Sequence, residues 1–308
     1  MIDATQLRLT SGGIELDTDP KSFGWLRDST DLIGNAEGLQ ERMAEDGYLY
    51  LPGFLDREEI ASARLAVCQV LAEEGVLNPA FPTDKAIARE GTKMAFRPDI
   101  ANAGPARDPI RSVVYGDGVM SFYREMLGGE PMHYEYSWLR TVAPGKGTYP
   151  HCDVVYMGRG TKNVFTAWIP FGDIPLEVGG LIVVEGSHRD EELKSTYGQL
   201  DVDAVCTNQE NARQPNAAGF PGFGAISYDM RATRERLNRR LLTAREFRMG
   251  DLLTFSLFTV HGSLDNHSRE IRFSTDTRYQ LASEPADERW VGENPPGHGG
   301  TMLRDTIC

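Results

Sequence analysis

Cysteine is scarce in this chain. There are four in 308 residues, Cys68, Cys152, Cys206 and Cys308, widely spaced and with no Cys-x-x-Cys pair. That argues against a zinc ribbon and against a disulfide framework. No apolar run approaches the roughly 20 residues needed to span a membrane. The start, Met1-Ile2-Asp3-Ala4-Thr5-Gln6, lacks a basic stretch followed by an apolar core, so no signal peptide is visible and the cytoplasm is the expected location. Positive charge is in deficit, with 32 Lys and Arg against 45 Asp and Glu and a net charge of −13. Nucleic acid and anionic membranes are therefore disfavoured as partners. Internal repeats and low-complexity tracts are absent. Hydrophobic content of 40% and charged content of 25% are ordinary for a soluble globular protein.

The chain divides by character. Residues 1–35 are polar and turn-rich, a lead-in. Residues 37–46 read as a short amphipathic helix, and Gly47 to Gly53 as a strand closed by a Pro-Gly turn. Asp56 is a good N-cap for a helix from Arg57 to Glu74, with Ile60, Ala63, Val67, Val70 and Leu71 at helical spacing. Residues 78–108 show little periodicity and read as a long loop. Val119 to Leu127 reads as a helix ended by Gly128-Gly129. From Met132 strands dominate: 133–142, 163–170, 181–184, 251–260 and 271–281. Short strands between Gly and Pro turns indicate a sandwich, jelly roll or barrel. Residues 190–248 read as a polar insertion. Its end carries Arg231, Arg234, Arg236, Arg239, Arg240, Arg245 and Arg248, a cluster able to attract an anion but more simply a solvated, ion-paired face. One domain over 1–308 is expected, with a β core at about 130–282, a helical part at 36–129 and the 190–248 insertion.

The most informative stretch is Thr148-Tyr149-Pro150-His151-Cys152-Asp153. On a strand, His151 and Asp153 would point to one face, with Cys152 packed on the other. An imidazole and a carboxylate on one face are two-thirds of a 2-His-1-carboxylate facial triad for non-heme Fe(II). The third ligand is His261, at the end of an apolar strand. A rival exists, because Arg272 follows His261 by eleven residues and Arg278 follows His267 by the same number. His267 sits in the polar run Asp265-Asn266-His267-Ser268-Arg269, so His261 is preferred. An iron with open positions can bind a small keto acid through two oxygens, and its far carboxylate then needs a planar fork of donors, which a guanidinium supplies. Arg272 is the expected fork, Arg278 its rival on the same strand face, and Ser263 a hydroxyl beside it.

These segments, with Thr166 to Pro170, Gly179 to His188, and His261-Gly262-Ser263-Leu264-Asp265-Asn266, resemble the phytanoyl-CoA dioxygenase family of Fe(II)/2-oxoglutarate-dependent oxygenases. The resemblance covers residues 130–282 and, more loosely, 47–55. It implies a mainly β fold, a double-stranded β-helix (jelly roll, cupin-like) with flanking α-helices. It also implies Fe(II), 2-oxoglutarate and O2, with oxidation of a small organic molecule and release of succinate and CO2. Carried over residue by residue, the metal ligands are His151, Asp153 and His261, and the cosubstrate residues are Arg272, Ser263, Trp168 and Lys93. His188 matches a motif position without a ligand role. Related halogenases replace the carboxylate ligand by Gly or Ala, so Asp153 favours hydroxylation or another oxidation. Expected substrate-pocket residues are Tyr136, Trp138 and Arg140, alternating before the triad, and Tyr156 and Met157 after it. Two other readings fit the triad: a cupin-like metal-binding or sensor protein without turnover, and a zinc hydrolase or isomerase. Arg272 with Ser263 separates them, since a bare metal site needs no carboxylate clamp. Substrate identity and oligomeric state are not legible.

Overall fold

The computed structural model describes residues 8–93, 95–205, 219–221 and 224–298. Strands of two mostly antiparallel sheets are, in chain order, β1 (Phe23–Trp25), β2 (Tyr48–Leu51), β3 (Ala95–Phe96), β4 (Pro131–His133), β5 (Trp138–Val142), β6 (Phe165–Pro170), β7 (Leu181–Val184), β8 (Leu241–Thr243), β9 (Leu252–Ser256), β10 (His261–Ser263) and β11 (Arg272–Leu281). The larger sheet runs β2-β9-β6-β11-β5-β3, with β4 paired to β11. The smaller runs β10-β7-β8-β1, its last pair parallel. This is a jelly roll, a cupin-like double-stranded β-helix, mainly β with flanking helices.

Period-two alternation along β11 sets what lies on each side of the larger sheet. Phe273 and Tyr279 join the core built with the helices, whereas Arg272, Ser274, Asp276 and Arg278 point the other way. The outer layer is helical: α1 (Ala36–Asp46), α2 (Arg57–Glu73), α3 (Pro98–Asn102), α4 (Arg107–Val114) and α5 (Asp117–Leu127). Asn35 caps α1 by accepting from the Gly38 amide, and Asp56 caps α2 by accepting from the amides of Glu58 and Glu59. Gly47 ends α1 at φ 79°, where a Cβ would meet His188, so only glycine fits there. Tyr123 of α5 stacks on Tyr279 with centroids 4.0 Å apart and its hydroxyl meets Thr254 Oγ1 at 2.7 Å. Between the sheets, Trp168, Leu253 and Phe255 pack against Val183 and Leu242.

Several expectations need correction. The stretch 78–108 is not a loop: it holds β3, α3 and the start of α4, and buries Ile100, Ala101 and Ala106. Helices of five and eight residues are too short to show a period. The insertion 190–248 is not peripheral throughout, because its Leu241–Thr243 is the buried strand β8. The lead-in likewise contributes β1. Strand 133–142 is broken between His133 and Trp138, and 251–260 ends at Ser256, after which the chain turns into the other sheet. The arginine-rich run is mostly ion-paired or packed: Arg231 to Glu235, Arg236 to Glu192, Arg240 to Glu185, Arg248 to Glu246, and Arg245 over the Trp25 ring. Cys206 and Cys308 lie outside the described residues; Cys68 and Cys152 are buried thiols.

A short N-terminal hairpin, Thr10–Ser11 paired with Ile14–Glu15, is tied to the body of the fold through Asp265. Its buried carboxylate accepts from the amides of Gly12, Gly13 and Gly147 at 2.8, 2.8 and 2.7 Å, and from Thr10 Oγ1 at 2.6 Å. Asp265→Ala would leave several of these donors unsatisfied, at about 1–3 kcal/mol each for buried groups. A loss of about 3 kcal/mol or more is expected in denaturant unfolding. An unchanged midpoint would show that solvent replaces the carboxylate without cost.

Candidate metal and cosubstrate site

His151 and His261 are brought together by the backbone. They face one another in an antiparallel bridge, each amide donating to the other's carbonyl at 2.9 Å. The expected two-residue strand spacing of His151 and Asp153 is not what aligns them. Asp153 instead precedes a short helix, α6 (Val154–Met157), and its side chain does not cap that helix. The chain turns at Asp153 itself, and the carboxylate enters the site from the turn.

Each imidazole is oriented by its own strand. His151 Nδ1 lies 2.8 Å from the Tyr149 carbonyl and His261 Nδ1 3.0 Å from the Thr259 carbonyl. A carbonyl only accepts, so both Nδ1 atoms carry the proton and both Nε2 atoms keep a lone pair. Those Nε2 atoms lie 3.9 and 3.8 Å from Asp153 Oδ1. The three donors are within 4.8 Å of one another, and all three residues are buried. Two ligand bonds of about 2.1 Å span the 3.8 and 3.9 Å separations from Asp153 Oδ1, so the donor set fits one metal ion.

Electrostatics keep the donors in metal-binding form. Burial, and then the neighbouring His261, push the His151 imidazole down to about 3. Burial lowers His261 as well. For Asp153, burial works to raise the carboxyl, but Arg278, His261 and His151 outweigh it and hold it below the usual carboxylate range. An imidazole in the unfolded chain titrates near 6.5. Between about 6.5 and about 3 the unfolded chain therefore binds protons that the folded site refuses, and stability falls as pH falls through that window. Chelator-treated protein should lose more stability between pH 7 and pH 5 than the His151→Gln variant does; equal losses would rule this contribution out.

Beside the two histidines is a narrow cavity of about 20 Å³, lined by Arg140, Trp168, Ser263 and Arg272 among others. Arg272 is buried and donates from Nη1 to the Gly179 carbonyl; among the described residues no carboxylate pairs with it and its Nε has no partner. Gly179 presents that carbonyl at φ 86°, where a Cβ would meet the backbone of Leu264 and Asp265. Burial, then Arg140, push the Arg272 guanidinium down to about 9, so it stays charged at neutral pH. The rival Arg278 is committed elsewhere, at 2.7 Å from both Asp153 and Asp276. His267 is exposed and meets Thr10 Oγ1 at 2.8 Å, away from the triad.

Other expected residues divide. Trp168 faces the cavity with an unpaired indole N–H. Ser263 Oγ accepts from the Thr148 amide at 2.8 Å and keeps its own hydrogen to donate. Arg140 reaches the cavity, ion-paired to Asp276 at 2.8 Å. Trp138 lies over Arg278, 4.2 Å from its guanidinium carbon. Tyr136 packs against Trp138 and Trp290, and Tyr156 lies edge-on to His151 at 5.7 Å. Met157 is a core residue. Lys93 is not brought to the site: it is exposed, in a separate surface groove with Arg89 and Arg97, because the segment before β3 runs along the outside of the larger sheet. Missed by sequence reasoning were Thr166 and Asp276, which engage the charged residues, and Ser274, whose buried Oγ has no partner on the Arg272 face of β11. Alternation from Arg272 was the available signal for the latter two.

Comparison with known proteins gives a consistent result. A family model described as phytanoyl-CoA dioxygenase (PhyH) matches residues 43–274. A 1-deoxypentalenic acid 11-beta-hydroxylase of Streptomyces exfoliatus is 28% identical over 266 residues, covering 83% of this chain and 85% of the relative. Its counterpart from Streptomyces arenae is 28% identical over 276 residues, 85% and 87%. Among solved structures, EctD from S. alaskensis with 2-oxoglutarate and 5-hydroxyectoine has a TM-score of 0.56 at 19% identity, covering 94% and 92%. The epimerase SnoN in complex with Fe3+, alpha ketoglutarate and nogalamycin RO has a TM-score of 0.54 at 21% identity, covering 88% and 98%. At these identities the structural likeness establishes the fold.

Proposed function

The chain belongs to the phytanoyl-CoA dioxygenase family, and on that premise we propose that His151, Asp153 and His261 hold its iron, that Arg272 clamps its cosubstrate, and that its substrate is a small, largely apolar molecule that becomes hydroxylated. The protein is an Fe(II)- and 2-oxoglutarate-dependent oxygenase, with O2 as the other cosubstrate. No helix among the described residues is long and apolar enough to cross a membrane.

One observation carries the assignment of the cosubstrate pocket: a buried guanidinium, without a counter-ion among the described residues, shares a cavity with His151 and His261. Arg140 and Asp276 offset one another, as do Arg278 and Asp153. One positive charge, that of Arg272, is left over. A buried cation needs a partner, and the far carboxylate of a keto acid supplies one. Trp168 and Ser263 add donors to the same cavity. A protein that only stores or senses a metal has no use for this clamp.

When bound, iron supplies the oxidative chemistry, in which 2-oxoglutarate goes to succinate and CO2 and one oxygen atom of O2 goes to the substrate. The residues of the chain do the rest. The carbonyls of Tyr149 and Thr259 hold the two imidazoles in the ligating tautomer. Arg272 orients the cosubstrate from its far end. Tyr156 lies against His151, and Tyr136, Trp138 and Trp290 pack together on the same side, so this flank of the site is apolar, which supports an apolar substrate. Asp153 in the ligand position favours hydroxylation over halogenation, and the 28% identical relatives are hydroxylases. A CoA thioester is not favoured, since the arginine-rich run that could meet its phosphates is ion-paired. We read the described chain as one catalytic domain.

The test is succinate release from 2-oxoglutarate with Fe(II) and O2, alone and with a panel of cyclic and terpenoid acids, products being read by mass spectrometry. Substrate-stimulated succinate with a product heavier by one oxygen is expected. Failure of the protein to bind 2-oxoglutarate in the presence of metal would sink the pocket assignment.

A further inference from the structure

We infer that Arg278, with Asp276 and Thr166 behind it, is a positioning device that keeps Asp153 a one-oxygen donor and ties that oxygen's orientation to the cosubstrate cavity. Asp153 Oδ2 is fully engaged: Thr166 Oγ1 donates to it at 2.5 Å and Arg278 Nη2 at 2.7 Å. Oδ1 alone is left toward the two imidazole Nε2 atoms. Arg278 is held in turn. Its other arm donates to Asp276 Oδ2 at 2.7 Å, and the Trp138 ring lies over its guanidinium carbon at 4.2 Å. Asp276 Oδ1 accepts from Arg140 Nε at 2.8 Å. Arg140 and Asp276 both line the cavity that holds Arg272. The result is a row of alternating charges, Arg140, Asp276, Arg278, Asp153, running from the cosubstrate cavity to the ligand oxygen. Asp153, Asp276 and Arg278 are each at most 2% exposed.

The device matters because of what a free carboxylate does. Unrestrained, Asp153 can turn about its side-chain bonds and offer both oxygens to one ion. A second carboxylate oxygen would occupy one of the positions that a two-oxygen keto acid and O2 require. A planar guanidinium can grip Asp153 and Asp276 at once and fix the carboxylate plane; an ammonium cannot span both. Partners of metal ligands of this kind are typically worth ten- to a hundredfold in metal affinity.

The inference rests on the reading of Asp153 as a ligand, and the experiment separates the two. Cobalt(II) serves as the probe, because its visible absorption reports coordination. Metal-free parent, Asp153→Ala, Arg278→Met, Arg278→Lys, Asp276→Asn and Thr166→Val are titrated with Co(II), after thermal melts establish which are folded. Arg278→Met should shift the Co(II) absorption band and change Co(II) affinity about tenfold to a hundredfold, since Asp153 is then free to leave the ion or to offer it both oxygens. Arg278→Lys should move both readouts part of the way back to the parent. Asp276→Asn and Thr166→Val should shift both readouts in the same direction as Arg278→Met by less. A folded Arg278→Met with the parental Co(II) band would overturn the inference. Should Arg278→Met fail to fold, parental affinity and band in both Asp276→Asn and Thr166→Val would overturn it instead. Parental binding by Asp153→Ala would overturn the ligand reading beneath it.

Discussion

His261→Ala is expected to lose iron and all substrate-dependent succinate release, whereas His267→Ala should retain both. The two histidines are six residues apart and each precedes an arginine by eleven, so the contrast tests the site and not the composition. His261 ends in the protein interior, its Nδ1 held by the Thr259 carbonyl and its Nε2 3.8 Å from Asp153 Oδ1. His267 is exposed. Outer partners of ligands already cost ten- to a hundredfold when removed, so removal of a ligand itself should cost more than about a hundredfold in iron affinity. His151→Ala and Asp153→Ala should behave alike. Metal content after desalting, and succinate from 2-oxoglutarate, are the measurements. A His261→Ala protein with full iron and parental turnover would exclude the triad.

Arg272→Lys should raise the 2-oxoglutarate constant about ten- to a hundredfold while leaving iron affinity nearly unchanged. Lysine keeps the charge but loses the planar fork that matches a carboxylate. Hydrogen bonds to charged groups contribute about 1.5–3 kcal/mol, and about 1.4 kcal/mol is a factor of ten. The loss of one such bond sets the range. Arg272 touches none of the three ligands; its contact is the Gly179 carbonyl, so the metal site should not feel the change directly. Arg278→Lys is the informative comparison. Its guanidinium lies on Asp153 and Asp276, so its effect should fall on metal binding first. A 2-oxoglutarate titration in which only Arg278→Lys shifts the constant would reassign the clamp. No shift in either variant would remove the evidence for a cosubstrate carboxylate in this cavity.

The sequence by itself determined the candidates for the chemistry. His151, Asp153, His261 and Arg272 were legible as candidate ligands and clamp because their residue types and spacing suit metal and carboxylate binding, and because an apolar strand leads into His261 while a polar turn surrounds His267. The β core was legible from alternation between Gly and Pro turns, and the longer helices α2 and α5 from spacing and caps. Elements too short to show a period, β1, β3, α3 and β8, could not be read, since their placement comes from burial against partners distant in the chain. Tertiary structure alone decided three things. His151 and Asp153 converge through a bridge to His261 and a turn at Asp153, where strand periodicity had suggested a simpler cause. Arg272 and Arg278 share a face of β11, so alternation could not separate them; their neighbours did, because Arg278 meets the Asp153 carboxylate whereas Arg272 lines the cavity beside the histidines. Lys93 was excluded only by the path of the chain before β3. Spacing reports which side chains can share a face, but which charge meets which is set by contacts 100 or more residues apart, such as Arg278 with Asp153 at a separation of 125, and those exist only once the sheets have closed.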